Sequence, residues 1–402
     1  MSSDRFVVAR EERCVHCGFC EHYVSCPTHG NGCIGCGICI KGCPQGARQL
    51  RPRSGSPSEI RCIIDGQART ITGALSVRDA LFELGGTPET VGDEGRSDRA
   101  RCDTGGCWNC AVLIDGVLCR SCATPLREGM DIVTDPDIVL RTEPRRIVTL
   151  MRPPPHYHPS VFVHGCNYDC DFCHNWEMTF ASEGNALSPK DAVAMLRLNK
   201  ERDYWVGISG GEPTLNRRWL LDTIREIRKT VPDSRIQLDT NASLLTNEYI
   251  DEIVQSGVSD ISPDLKARRV DTFMKLCGIK SRETAKVFLE TSWNAVRYLD
   301  ERYREEVFMA VSLPYHPSIH SLDELADAAR AIAEINPEMP VTLIEYQPAF
   351  RRRDEAFVES HMMETAKGVL LSAGLSRVVV QGGSEVPLAT DPLELEIGSE
   401  EF

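Results

Sequence analysis

From residue 159 onward, apolar and polar positions alternate with two distinct periods. Short aliphatic runs predict strands at 161–163, 205–208, 236–238, 258–261, 307–313 and 341–346. Between them the spacing turns helical. Leu220, Ile224, Ile227 and Val231 share one face of a stretch over 217–231, and the capping box Ser321-x-x-Glu324 opens a helix over 322–335. Strands that alternate with helices imply parallel strands joined by crossover helices. About six such βα units fall short of the eight in a closed barrel. The expected fold class is therefore α/β, an open partial (βα)6 barrel over residues 159–385, to which 378–380 adds a final strand. The acidic stretch 386–402 reads as a flexible tail.

Upstream the pattern is different. A hairpin over 60–64 and 68–71 turns at Asp65-Gly66, a short helix follows at 77–84, and a strand at 111–114 turns at Asp115-Gly116 into 117–118. These elements define a small β-rich domain over 57–135. Residues 1–50 hold too few apolar side chains to build a core, so bound metal must supply most of their folding energy. The run 51–58, rich in Arg, Pro and Ser, reads as a linker, and 136–158, with Pro153-Pro154-Pro155, as a stiff extended one.

Length and charge narrow the function. A chain of 402 residues accommodates two or three domains, and its net charge of −14 argues against a general nucleic-acid partner. Met1 to Arg13 lacks the apolar core of a secretion signal, and no run is long and apolar enough to span a membrane. The expected location is the cytoplasm.

Most of the 18 cysteines then explain what the first 50 residues bind. They fall into four blocks: Cys14-x2-Cys17-x2-Cys20-x5-Cys26-Pro, Cys33-x2-Cys36-x2-Cys39-x3-Cys43-Pro, Cys102-x4-Cys107-x2-Cys110, and Cys166-x3-Cys170-x2-Cys173. A disulfide framework needs an oxidising compartment, and zinc is served by paired CxxC units. Thiolate triplets followed by Cys-Pro are instead the pattern of iron–sulfur clusters. Cys62 and Cys277 stand apart and read as small core residues.

The doubled CxxCxxC motif resembles a two-cluster bacterial ferredoxin. In that fold the last cysteine of each motif ligates the other cluster. The resemblance implies Cys14, Cys17, Cys20 and Cys43 on one 4Fe–4S cluster, and Cys33, Cys36, Cys39 and Cys26 on a second. The third block, with its hairpin and helix, resembles a plant-type 2Fe–2S β-grasp domain of the form found in succinate dehydrogenase. That likeness makes Cys122, which precedes Ala123-Thr124-Pro125, the fourth ligand beside Cys102, Cys107 and Cys110, with Cys119 as its rival.

The fourth block follows the first barrel strand, and Gly210-Gly211-Glu212-Pro213 follows the second. Together they resemble the radical S-adenosylmethionine (SAM) superfamily. Cys173-His174-Asn175, Leu238-Asp239-Thr240-Asn241 and Asp264-Leu265-Lys266 resemble, more narrowly, its pyruvate formate-lyase-activating-enzyme-like branch. The resemblance implies that Cys166, Cys170 and Cys173 hold a third 4Fe–4S cluster with one iron open to SAM. One electron then cleaves SAM to a 5′-deoxyadenosyl radical, which takes a hydrogen atom from a small molecule or a glycyl-radical-type partner protein. SAM itself would be held by Gly210, Gly211, Glu212, Pro213, Asp239, Asn241, Asp264 and Lys266. Glycines suit the turn because they let backbone carbonyls approach the methionine amine, and Glu212 would add an acceptor for it.

Two departures stand out: Ala242 replaces a family glycine, and Gln347 stands where activases carry a histidine. Plainer readings also remain for single residues. Asp239 and Asn241 could cap a helix, Lys266 could be solvated, and His174 could be a bonded loop residue. The three filled clusters imply a fused electron relay fed by a low-potential donor. One alternative is an electron-transfer subunit of a redox complex whose barrel no longer cleaves SAM. A cobalamin-dependent methyltransferase is a further alternative, but its cobalamin motif is missing.

Overall fold

A computed structural model describes residues 6–24, 26, 33–52, 59–73, 76–85, 101–151 and 158–382. At its N-terminal end, β1 (Phe6–Arg10) pairs antiparallel with β2 (Arg48–Pro52) and clasps the ends of the first two cysteine blocks together. Each block carries one short helix, Phe19–His22 or Ile38–Lys41. Both helices start after a glycine in the left-handed region, Gly18 at φ 78° and Gly37 at φ 77°. Such a turn strongly favours glycine, which explains the repeated Cys-Gly-x-Cys.

The second unit is a five-stranded sheet built from β3 (Glu59–Ile64), β4 (Gln67–Thr72), β5 (Ala111–Ile114), β6 (Val117–Arg120) and β7 (Asp131–Val133), in the order β4-β3-β7-β5-β6. Both hairpins turn on an Asp-Gly pair with positive φ, 48° and 74° at Asp65-Gly66 and 50° and 80° at Asp115-Gly116. Those signs match the twist of the flanking strands. The helix Val77–Glu83 is fixed by a capping box between Ser76 and Asp79 and packs Val77, Ala80 and Leu81 into the core with Ile64, Ile71, Val112 and Ile132.

The expected linker is ordered in its described part. Pro136–Val139 forms a helix capped by Asp135, and β8 (Val148–Met151) pairs antiparallel with β9 (Ser160–Val163) as the edge of the barrel sheet. Four residues of alternating Val, Thr, Leu and Met suffice to cover that edge; the three prolines lie outside the described residues.

Parallel strands follow: β10 (Trp205–Gly210), β11 (Arg235–Thr240), β12 (Asp260–Pro263), β13 (Phe308–Met309), β14 (Val311–Tyr315), β15 (Val341–Glu345) and β16 (Val378–Gln381). The expected strand 307–313 divides at Ala310. Its first half pairs with β12 and its second with β15, and the parallel bridge Asp264–Ser312 joins the two sheets. The barrel is open, with β8 at one edge and β16 at the other. The strand expected at 258–261 begins two residues later, because Gly257 at φ 111° ends the preceding turn. Helices cover the outside; Arg217–Thr230 buries Leu220, Ile224 and Ile227, while Leu322–Ile335 starts where its cap Ser321 accepts from Glu324 N. The expected acidic tail lies outside the described residues.

Candidate functional site

Cysteine loops in three of the four blocks share one local device. The backbone N–H two residues past a cysteine donates to its sulfur: Gly35 N to Cys33 Sγ at 3.4 Å, Thr104 N to Cys102 Sγ at 3.4 Å, Asn109 N to Cys107 Sγ at 3.5 Å and Tyr168 N to Cys166 Sγ at 3.4 Å. Donors aimed at sulfur favour a thiolate over a thiol, which is what a cluster ligand must be. The residues therefore fit the groups that the spacing implies.

A hollow of about 320 Å³ is lined by Cys14, Cys17 and Cys20 of the first block and by Cys43 of the second. That is the crossed set expected for one cluster. Burial pushes the Cys36 thiol up, and Cys33 and Cys26, near enough to repel its thiolate, push it the same way. Those three belong to the other crossed set. Between the sets lies Arg48, with Nη1 3.8 Å from Cys39 Sγ.

In the β-grasp domain Cys102, Cys107, Cys110 and Cys122 are all buried. The Cys107 thiol lies against that of Cys102, and the Cys122 thiol against that of Cys110. Two contacting pairs suit the two irons of a 2Fe–2S rhomb, each of which takes two thiolates. Cys119, the rival, sits on β6 and packs against the hydrophobic core of the sheet.

At the mouth of the barrel, Cys166, Cys170 and Cys173 follow β9. Tyr168 anchors their loop by packing edge-on against Phe273, with ring centroids 5.5 Å apart. Cys173 Sγ lies 3.7 Å from Thr179 Oγ1, and Asn241 Nδ2 lies 3.7 Å from Cys166 Sγ. Cys277 bonds Cys170, and that bond lowers the Cys170 thiol while burial, more than the bond, drives the Cys277 thiol up. Cys277 is thus more than the small core residue expected from the sequence. A sulfur that lies against one ligand is too close to it for another corner of the same 4Fe–4S cluster, which fits the three-ligand set expected from the spacing.

The two glycines of the turn after β10 press it against this loop. A Cβ on Gly210 would stand 2.4 Å from Val163 N, and one on Gly211 would stand 2.3 Å from Gly165 O. Glu212 N donates to Gly165 O at 2.8 Å and Asn175 Nδ2 to Gly210 O at 3.4 Å. The Glu212 side chain does not offer the free acceptor expected of it. It is wholly buried and accepts from Thr214 N (2.9 Å), Thr214 Oγ1 (2.5 Å), Thr240 Oγ1 (2.6 Å) and Asn241 N (2.7 Å). Its carboxylate ties the turn after β10 to the loop after β11. Pro213 is buried behind it, and its carbonyl accepts from Arg146.

Asn241 takes a place beside the cluster ligands: besides approaching Cys166, its Nδ2 donates to Asn167 Oδ1 at 3.0 Å. Ala242 holds φ 58°, the left-handed region in which the family glycine would sit unstrained. Asp239 accepts from Gln237 Nε2 at 2.7 Å, and burial raises its carboxyl above the usual range. Lys266 is paired with Asp264 and donates to Tyr346 Oη at 3.1 Å; burial opposes its charge, but Asp264, Tyr346 and Cys170 together outweigh that and hold its pKa above the usual lysine value. Asp264 Oδ1 is buried with no hydrogen-bond partner. An orphaned carboxylate oxygen beside a paired lysine suits the polar end of a bound amino acid. His174 Nε2 accepts from Gln347 N at 3.1 Å and its ring meets Tyr346 edge-on, so a residue that matches the activase pattern meets one that departs from it.

The cluster loops are also docked on one another. A Cβ on Gly165 would stand 3.0 Å from both Cys102 Cβ and Cys107 N, and Asn216 Nδ2 donates to Cys107 O at 3.1 Å. One buried cluster gathers Phe19, Ile38, Cys110, Cys122, Phe180 and Phe350, with Cys36, Cys39 and Cys173 packed against it. Arg351, arriving from beyond β15, donates to Lys41 O at 2.7 Å and to Asp169 and Asp171 at 3.0 and 3.1 Å. The ferredoxin segment is thereby fixed to the barrel rather than hung on a tether. None of Lys41, Arg146, Cys277 or Arg351 carries a local sequence signal.

The profile of the radical SAM superfamily matches residues 160–329. Those residues belong to that superfamily. A 2Fe-2S iron-sulfur cluster binding domain matches residues 58–137, so the radical SAM domain is fused to a ferredoxin-type one. Among curated proteins, one of Methanocaldococcus jannaschii named as a glycyl-radical enzyme activating enzyme is 24% identical over 180 residues, 43% of this chain and 68% of that one. Another, of Thermococcus kodakarensis and named as a GTP 3′,8-cyclase, is 28% identical over 135 residues, 33% of this chain and 41% of that one. The chain thus spans less than half of the Thermococcus relative. Among solved structures, SuiB of Streptococcus suis bound to its precursor peptide SuiA aligns with a TM-score of 0.44 at 15% identity, over 56% of this chain and 48% of that chain, a likeness too slight to carry an argument. No helix among the described residues is long and apolar enough to cross a membrane.

Proposed function

We propose that the chain is a radical SAM oxidoreductase that cleaves SAM with electrons relayed through its own ferredoxin domains. The observation that carries this reading is the convergence of three cysteine sets on one packed region, which Phe19 of the first cysteine block also enters, with the three-thiol set at the mouth of the barrel. A 4Fe–4S cluster on Cys166, Cys170 and Cys173 would supply one electron to the sulfonium of SAM, giving methionine and a 5′-deoxyadenosyl radical that takes a hydrogen atom from substrate. The chain's own residues bind and orient. Asp264 and Lys266 receive the amino-acid end of SAM, Asp239 its ribose, and the turn at Gly210 and Gly211 holds the cluster loop at a fixed distance from them.

Three further clusters, two of them 4Fe–4S and one 2Fe–2S, form the relay. Cys17 is exposed and Val15, beside it, is 61% exposed, so the Cys14 set is the entry for a low-potential donor. From there the Cys33 set and the Cys102 set lead inward. The hydrogen donor is a small molecule or a partner protein that reaches the mouth near His174 and Gln347. Gln347 departs from the activase pattern and favours the small molecule.

The test is anaerobic reconstitution with iron and sulfide, reduction in the presence of SAM, and an assay for 5′-deoxyadenosine. Its formation is expected. None at all, with the reduced clusters visible by electron paramagnetic resonance (EPR), would instead support a redox subunit with an inactive barrel.

A further inference from the structure

Lys41 lies between two cluster cysteines, Cys39 and Cys43, at the end of the helix Ile38–Lys41. Its side chain leaves its own loop. Nζ donates to Cys102 O at 2.8 Å, to Cys166 O at 3.4 Å and to Tyr168 O at 3.5 Å. An ammonium has three donors, and here they meet three carbonyls, one from the 2Fe–2S loop and two from the barrel cysteine loop. The Lys41 carbonyl is itself held by Arg351. One residue therefore belongs by backbone to the ferredoxin segment and by side chain to the other two cluster loops.

We propose that Lys41 is a positioning residue that locks these three loops in register and stabilises the reduced forms of the 2Fe–2S centre and the barrel cluster. The proposal rests on the relay reading above. Two features separate it from a plain structural staple. A neutral donor would satisfy carbonyls equally well, yet the residue here is a half-buried cation within one peptide unit of a ligand of each cluster. The surroundings of that charge are also not neutralised one for one. Asp103, which follows Cys102, is the carboxylate of that loop, with Arg78 at 2.8 Å and Arg101 at 3.0 Å. Arg78 and Arg101 both bond it directly, so Asp103 is already matched without Lys41. The ammonium's field is left to the clusters.

Each cluster gains a negative charge on reduction, and a fixed cation nearby stabilises that added charge, which raises the midpoint potential. Loss of Lys41 therefore lowers it. The gradient of potential would then point less steeply toward the barrel, and electrons would remain longer in the outer clusters.

The test is an EPR-monitored redox titration of the full, reconstituted chain, followed at temperatures where only the 2Fe–2S signal remains sharp. Lys41→Met keeps the stem but removes the charge, Lys41→Gln keeps a donor without the charge, and Lys41→Arg keeps the charge. The expected result is a shift to more negative potential in the Met and Gln variants, with iron per chain unchanged, and a return toward wild type in the Arg variant. A wild-type potential in Lys41→Gln overturns the proposal. If Lys41→Met fails to retain iron, the Gln and Arg variants decide between the same two outcomes. The titration needs no SAM cleavage, so it reads Lys41 even where the enzyme reading fails, and an unshifted potential leaves that reading standing.

Discussion

Replacing Cys170 by alanine is expected to abolish 5′-deoxyadenosine formation with every reductant, chemical or protein. Cys170 is buried in the loop after β9, with Cys277 bonded to it and Asp169 N tied to Cys277 O at 2.8 Å. The loop is braced from several sides, so removal of one sulfur leaves its course intact but the cluster with too few ligands. The outer sets share none of these thiolates. Iron content should fall by one cluster's worth while the 2Fe–2S signal persists. Retained cleavage would mean that Cys277 had replaced Cys170 as a ligand or that the chemistry lies elsewhere.

Arg146→Leu is expected to destabilise the barrel by about 3–5 kcal/mol, the range seen when one partner of a buried charged network is removed. The guanidinium is wholly buried and donates to Pro213 O at 2.7 Å, Glu212 O at 2.6 Å and His164 O at 3.2 Å. Burial lowers its pKa, and the surrounding carbonyls are what make its charge tolerable there. Leucine leaves the Pro213 and His164 carbonyls unpaired, each at about 1–3 kcal/mol, and Glu212 O with only the long bond from Leu215 N at 3.4 Å. Because they belong to the turn after β10 and to the residue before Gly165, the same change loosens the turn that faces the cluster loop. Denaturant unfolding followed on the barrel, with SAM binding measured in parallel, checks both effects. A loss below about 1 kcal/mol, small for a buried network of this kind, would show that the turn stands without Arg146.

Much of this architecture is legible from local pattern. Asp65-Gly66 and Asp115-Gly116 announce both hairpins, and Ser321 marks the first turn of its helix. The second half of that capping box is not used as read. Glu324 turns instead to Arg268 N, Arg269 N and Thr272 Oγ1, because a buried carboxylate goes to the donors that tertiary packing presents. The edge strand β8 was hidden for a related reason. Its neighbours Pro153–Pro155 dominate the composition, while four residues of alternating pattern are too few to declare a strand.

In the site, spacing identifies ligands but not orientation. Glu212 and Asn241 stand where motif reading places them, yet one faces into the protein and the other toward Cys166. The residues that join the domains, Lys41, Arg146 and Arg351, reach partners 61 or more positions away for Lys41 and 180 or more for the Arg351 carboxylate pairs. Periodicity cannot register contacts at that separation.

The central claim is that electrons held in the fused clusters reach SAM inside one chain. It is tested most directly by reducing the reconstituted protein, removing the reductant by desalting under anaerobic conditions, and then adding SAM. The account predicts more than one equivalent of 5′-deoxyadenosine per chain from wild type, and a lower yield from Cys36→Ala, which lacks a ligand of the Cys33 set. Equal yields from the two proteins, with the barrel cluster intact in both, would contradict it.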